Sequence, residues 1–205
     1  MNTDLIVRHS RDLIAAGALF HQRGWVPATG GNFSARLSSD RMLITASGWH
    51  KGELAPDAFL VADFDGKPDN PGGRASYETL LHCQLYRMDE RIGAALHTHS
   101  VANTVLSMRE SSIRLAGYEL LKLLPGISTH EAAVEIPVFD NDQDIARLAA
   151  RVDAHIKQHA SAAYLIRGHG LYAWGSSVAQ ARHRVEALEF MFECELKQRQ
   201  LESKS

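Results

Sequence analysis

Apolar stripes at helical spacing alternate with short strand-like apolar runs along the whole chain, and this alternation restricts the fold more than any single motif. Leu5, Ile6, His9, Leu13 and Phe20 recur at helical spacing over residues 4–23, and Gly24 supplies a C-terminal stop. Segments 33–37 and 42–45 read as strands joined by a hairpin at Ser38-Ser39-Asp40-Arg41, and 59–64 adds another strand. Ser76 can cap a helix running to about Met88, with Leu81 and Leu85 on one face. A strand carrying His97 and His99 follows, then a short helix over 101–108 and a less regular stretch through Pro125. The pattern predicts a strand over 133–139 and a helix over 143–159, with Ile145, Leu148, Val152 and Ile156 in register. Strands at 163–166 and 171–174 and a long helix over 178–201 complete the chain. The expected architecture is α/β, a mixed central sheet with helices on both faces.

At 205 residues and 45% hydrophobic, the chain can bury a full core, and a single domain over 1–205 is expected. The Pro/Gly-rich stretch 66–73 is too short for a linker and reads as a surface loop. A net charge of −2 with both signs interspersed leaves no basic field for nucleic acid, so a small molecule or a protein is the expected partner. Cys83 and Cys194 give no disulfide framework and suit a reducing compartment. Residues 1–11 contain no apolar core of signal-peptide length, and no run approaches the ~18 apolar residues of a membrane span. A cytoplasmic chain without a membrane partner is expected.

Chemistry concentrates at His97-Thr98-His99, which ends the apolar run Ile92-Gly93-Ala94-Ala95-Leu96. Alternate residues of a strand share a face, so the two imidazoles project together and can bind one metal ion. The competing reading is a pair of histidines hydrogen-bonded to backbone at a strand end. A third candidate is His169 in Arg167-Gly168-His169-Gly170, again after a strand-like segment. Three imidazoles leave coordination positions open for a substrate, the pattern of catalytic zinc rather than of a closed structural site. Iron, cobalt or nickel also accept imidazole.

A second constellation is polar and glycine-rich. Thr29-Gly30-Gly31-Asn32 precedes a strand, Thr45-Ala46-Ser47-Gly48 follows one, and Ser76 opens a helix. Such loops present N–H and hydroxyl donors to an anion, and Lys51 can add a charge. Each segment alone is also an ordinary turn. No Gly-rich fingerprint is followed by Lys-Ser/Thr, so a nucleotide P-loop is not supported. His50 lies in the candidate anion loop as a possible substrate contact, and Arg167 can pair with an acid or with phosphate. His130 is read as a polar cap, and His9, His21, His155, His159 and His183 as helix side chains.

Five segments, Gly30-Gly31-Asn32-Phe33-Ser34, Leu43-Ile44-Thr45-Ala46-Ser47-Gly48, Ser76-Tyr77-Glu78, His97-Thr98-His99-Ser100 and Arg167-Gly168-His169-Gly170, stand in the order seen in the class II aldolase/adducin family. The chain resembles that family over nearly its whole length. The resemblance implies an α/β/α fold and one zinc ion per subunit on His97, His99 and His169. It also implies a phosphorylated ketose bound by Gly31, Asn32, Ser47, Gly48 and Ser76, an enediolate stabilised by the metal, and a homotetramer with sites near subunit interfaces. Segments 47–51, 117–120 and 169–175 look most like a dehydratase branch of the family. Glu78 matches the acid/base position of the sugar-phosphate aldolases and Glu119 the position that the dehydratases use. Both carboxylates are therefore candidates, with Glu119 preferred. A metal-dependent aldolase or epimerase is the alternative, and an adducin-type scaffold a third reading that the three histidines argue against.

Overall fold

A computed structural model describes residues 2–159 and 161–203. In chain order the elements are α1 (Thr3–Gln22), β1 (Asn32–Arg36), β2 (Arg41–Thr45), β3 (Phe59–Asp63), α2 (Thr79–Met88), β4 (Ala94–Thr98) and α3 (Val101–Ser107). Then come β5 (Ser112–Ala116), β6 (Ala133–Phe139), α4 (Ile145–Gln158), β7 (Ala163–Ile166), β8 (Gly170–Gly175) and α5 (Val178–Glu202). Single 3-10 turns occupy Lys51–Glu53, Pro56–Ala58 and Glu119–Leu123. The strands form one sheet in the order β3-β2-β1-β4-β8-β7-β6-β5, and only β6 and β7 run parallel.

Helices cover both faces, as the alternation of patterns implies. Period-two alternation sends Phe33, Ala35, Leu43, Ala94, Leu96, Leu171 and Ala173 to a core with Leu13 and Phe20 of α1 and Val185, Leu188 and Phe192 of α5. The intervening Met42, Ile44, Ala95, Tyr172 and Trp174 point the other way, to Leu81 and Leu85 of α2 and Leu148, Val152 and Ile156 of α4. Each fully buried Leu or Phe in these layers contributes roughly 1.5–3 kcal/mol relative to exposure. The sheet is thus a partition between two separate cores, with β1, β4 and β8 side by side near its middle. Among the described residues, no helix is long and apolar enough to cross a membrane.

Two stretches differ from the pattern reading. The segment expected to be irregular contains β5, in which Ile113 and Leu115 are buried while Arg114 is exposed. This is an edge strand paired only with β6, and its two inward residues are too few to establish a period. Ser76 does not cap α2, which starts at Thr79 after Glu78. The Ser76 hydroxyl instead accepts from the Asn32 amide at 3.3 Å, so it belongs to the site rather than to the helix.

Candidate active site

Strand register assembles the centre of the site. Asn32 on β1 and Tyr172 on β8 flank His97 on β4, so the three share the sheet face covered by α2. His99 continues past the end of β4, its N–H donating to the Trp25 carbonyl at 2.7 Å. His169 sits in the β7–β8 turn, where Gly168 adopts φ +60°. Glu78 comes from the residue before α2. The ligand atoms of Glu78, His97, His99 and His169 all lie within 4.8 Å of one another.

This donor set fits a divalent metal. The His97 Nδ1–H donates to the Leu171 carbonyl at 2.9 Å, which fixes the tautomer and leaves Nε2 with its lone pair in the cluster. That Nε2 lies 2.8 Å from the Nε2 of His99. Glu78 brings Oε1 to 3.1 Å from the Nε2 of His169 and Oε2 to 3.5 Å from that of His97. Tyr172 stacks on the His97 ring with centroids 3.9 Å apart. Burial, reinforced by the neighbouring imidazoles, drives the pKa of His97 well below its ordinary value, and burial lowers that of His99 to about 4. Both rings are therefore neutral near pH 7, the form that ligates metal.

Two glycines are required by the close packing around His97. A Cβ on Gly170 would meet the Thr98 carbonyl oxygen at 2.1 Å and His97 Cε1 at 2.8 Å. One on Gly31 would meet the His97 carbonyl oxygen at 2.6 Å, and Gly31 also adopts φ +80°.

Next to the cluster opens a cavity of about 330 Å³ lined by Gly31, Asn32, Ser47, Gly48, Lys51 and Ser76, with Glu78, His99 and His169 on its wall. Lys51 is only 2% exposed. Its ammonium donates to the Thr29 carbonyl at 2.9 Å and the Trp49 carbonyl at 2.6 Å, which leaves one of its three N–H groups for an anion. Burial lowers its pKa to about 8, partly offset by Glu78, and an incoming dianion would raise it again. The cavity thus joins a cluster that could hold a metal to the Lys51 ammonium and the Asn32, Ser47 and Ser76 side chains. Larger cavities between α2 and α4 and beside α5 contain none of these groups.

Other residues singled out from the sequence lie elsewhere. Glu119 is brought neither to the cluster nor to the cavity: it is exposed, pairs with Lys122 at 2.5 Å, and lies 3.9 Å from His130. His130 is accordingly not with the other imidazoles. His50 packs edge-on against His21 with centroids 4.6 Å apart and does not line the cavity. Arg167 pairs with Asp140 at 2.7 Å and donates to the carbonyls of Ser107 and Glu110, pinning the β7–β8 turn to the end of α3. Asn141 and Gln143 line the cavity from the loop after β6, an assignment for which the sequence offers only a short polar stretch. Tyr172 was visible as a strand residue, but its stacking on His97 depends on pairing between distant strands.

Residues 11–196 match the family described as the Class II Aldolase and Adducin N-terminal domain, and the chain belongs to that family. It is 52% identical over 193 residues to a methylthioribulose-1-phosphate dehydratase of Pseudomonas syringae pv. syringae, covering 93% of this chain and 95% of the relative. A methylthioribulose-1-phosphate dehydratase of Pseudomonas aeruginosa is 53% identical over 191 residues, 92% of this chain and 93% of that one. Among solved structures, the L-fuculose-1-phosphate aldolase of Thermus thermophilus superposes with a TM-score of 0.79 at 26% identity, over 97% of this chain and 98% of that one.

Proposed function

We propose that this chain is a zinc-dependent lyase that dehydrates 5-methylthioribulose 1-phosphate to 2,3-diketo-5-methylthiopentyl 1-phosphate, a step of methionine salvage in the cytoplasm. The observation that carries the reading is the three-imidazole cluster opening onto a cavity lined by Asn32, Ser47, Lys51 and Ser76. The similarity to dehydratases over more than nine-tenths of the chain selects dehydration among the reactions such a site can serve.

In this reading His97, His99 and His169 hold one zinc ion per subunit. Zinc supplies Lewis-acid polarisation of a ketose carbonyl and acidifies the adjacent C3–H. Gly31, Asn32, Ser47, Gly48, Lys51 and Ser76 bind the phosphate and so place C2 and C3 at the imidazole cluster. Hydroxide is a poor leaving group near neutral pH, so a carboxylic acid must protonate the C4 hydroxyl as its bond breaks. The proton lost at C3 balances the one delivered to C4, and one water is released.

Glu119 is the group assigned to that protonation. Its carboxylate lies on the outer surface of the chain, so it acts in the pocket of a neighbouring copy within a homotetramer. Leu120 and Leu123 of the same turn line a groove with Trp25 and Phe190, bordered by Arg23, His183, Glu186 and Glu193, and exposed Leu123 and Phe190 suit a subunit contact. Glu78, inside the cluster, favours a second reading as a sugar-phosphate aldolase or epimerase using the same metal and phosphate groups. Mass spectrometry of one reaction mixture distinguishes them: the expected product is the substrate less one water, whereas two shorter fragments would establish the aldolase.

A further inference from the structure

His82 lies one helical turn beyond Glu78, fully buried beneath the sheet, with its ring edge against Tyr172 at a centroid distance of 5.6 Å. It takes no part in the reading above, yet it is joined to the site by a chain of hydrogen bonds whose direction can be deduced. An ionised carboxylate only accepts, so Asn32 must turn its Nδ2 toward Glu78 Oε2, 2.7 Å away. The Asn32 carbonyl oxygen then faces His82 Nε2, which must carry the ring hydrogen. Its Nδ1 is bare and accepts from the Ser34 hydroxyl at 2.7 Å, and Ser34 Oγ in turn accepts from Tyr86 at 2.7 Å. Every donor faces an acceptor along Tyr86, Ser34, His82, Asn32 and Glu78. Flipping the Asn32 amide would oppose its oxygen to the carboxylate oxygen of Glu78, and the end at Glu78 therefore sets the direction of the whole chain.

We propose that His82 is a positioning residue: its Nε2–H locks the Asn32 amide with the NH₂ group toward Glu78 and the anion cavity. Nδ2 then gives one hydrogen to Glu78 and the other to the Ser76 hydroxyl at 3.3 Å, so a phosphate that displaces this long contact meets an N–H and not a carbonyl oxygen, and Glu78 is held in place against the imidazoles. The polar partners of the ring, Ser34 on Nδ1 and Asn32 on Nε2, are both neutral, so neither favours its protonation. Burial lowers its pKa to about 3, and the lock does not open in the physiological range. The phosphate part of this inference rests on the proposed function, whereas the orientation of Asn32 does not.

Two measurements on the zinc-loaded protein test it. Imidazole ¹⁵N NMR should show His82 as the neutral Nε2–H tautomer, unchanged between pH 8 and pH 5; an Nδ1–H tautomer or a protonated ring would overturn the lock. Calorimetric titration with inorganic phosphate should show roughly tenfold weaker binding in His82→Leu, the lower end of the effect of losing an outer hydrogen-bond partner, with zinc still bound. His82→Gln places an amide N–H near the position of Nε2 and should recover most of the affinity. Equal phosphate affinity in wild type, His82→Leu and His82→Gln would refute a role in presenting the donor. If His82→Leu does not fold, the tautomer of the wild type decides alone, and an Nδ1–H ring refutes the lock. Absence of phosphate binding in the wild type would count against the phosphate reading of the cavity, while the tautomer still decides the orientation of Asn32.

Discussion

His97 is constrained on every side: Leu171 accepts from Nδ1, Tyr172 covers one ring face, and Gly31 and Gly170 admit its backbone and ring only because they lack a Cβ. Each of these restraints on the ring comes from the protein itself, so truncating a ligand should cost metal before it costs the fold. His97→Ala or His99→Ala is expected to lose bound zinc and activity while retaining the wild-type circular dichroism spectrum; full zinc occupancy by atomic emission in either variant would refute a shared ion. His130→Ala should keep its zinc, since that ring sits with Glu119 on the surface. The three histidines were legible because alternation along a strand and a glycine-flanked turn are local signals. The groups that hold them were not. His82 looks like any helix histidine, and Tyr172 like any strand tyrosine, until the sheet register brings them to Asn32 and His97.

Helix α5 shows the same division between what is local and what is not. Its stripe of Val178, Ala181, Val185, Leu188 and Phe192 is evident in the sequence, and all five are buried. Within that helix Glu189 is 1% exposed. Its carboxyl accepts from Thr98 at 2.5 Å, Asn103 at 2.8 Å and the Ser100 hydroxyl, tying α5 to the turn that carries His99. A buried acid amid neutral donors keeps a desolvation penalty, and burial raises its pKa from 4.5 to about 7. The folded chain therefore retains a proton that the unfolded chain releases. Its contribution is full below about pH 4.5 and lost as pH rises through about 7, a swing of about 3 kcal/mol. Urea denaturation of metal-free protein should show wild type losing stability relative to Glu189→Gln between pH 4.5 and pH 7.5. A difference between the two proteins that does not change with pH would refute this assignment. The start of α2 and the short edge strand β5 were the elements read differently from the sequence, because each is fixed by a tertiary partner: Asn32 for Ser76, and β6 for β5.

For the whole molecule, the arrangement of layers decides where each carboxylate can act. The sheet order places β4 and β8 together near the middle and β5 at the far edge, and the turn bearing Glu119 follows β5 and packs its Leu121 into the α1/α5 core. Tyr118 is bound to Glu195 of α5 at 2.7 Å, so this turn is anchored on the face opposite α2. The two carboxylates that the sequence offers as acid/base candidates are thus separated by the sheet: Glu78 inside the imidazole cluster and Glu119 on an outer surface. Their separation turns the proposed acid/base role of Glu119 into a statement about assembly. Glu119→Gln should retain zinc and lose on the order of 10² to 10⁴ in turnover. His97→Ala should be inactive for lack of metal. Coexpressed in equal amounts, the two inactive chains should recover activity, because a His97 from one chain can then meet a Glu119 from its neighbour. Random mixing gives an intact pair at roughly a quarter of the sites in a cyclic assembly. Mixed oligomers isolated by two affinity tags should therefore reach about a quarter of the wild-type rate. Mixed oligomers as inactive as their parents would remove Glu119 from the neighbouring pocket and return the acid/base role to Glu78.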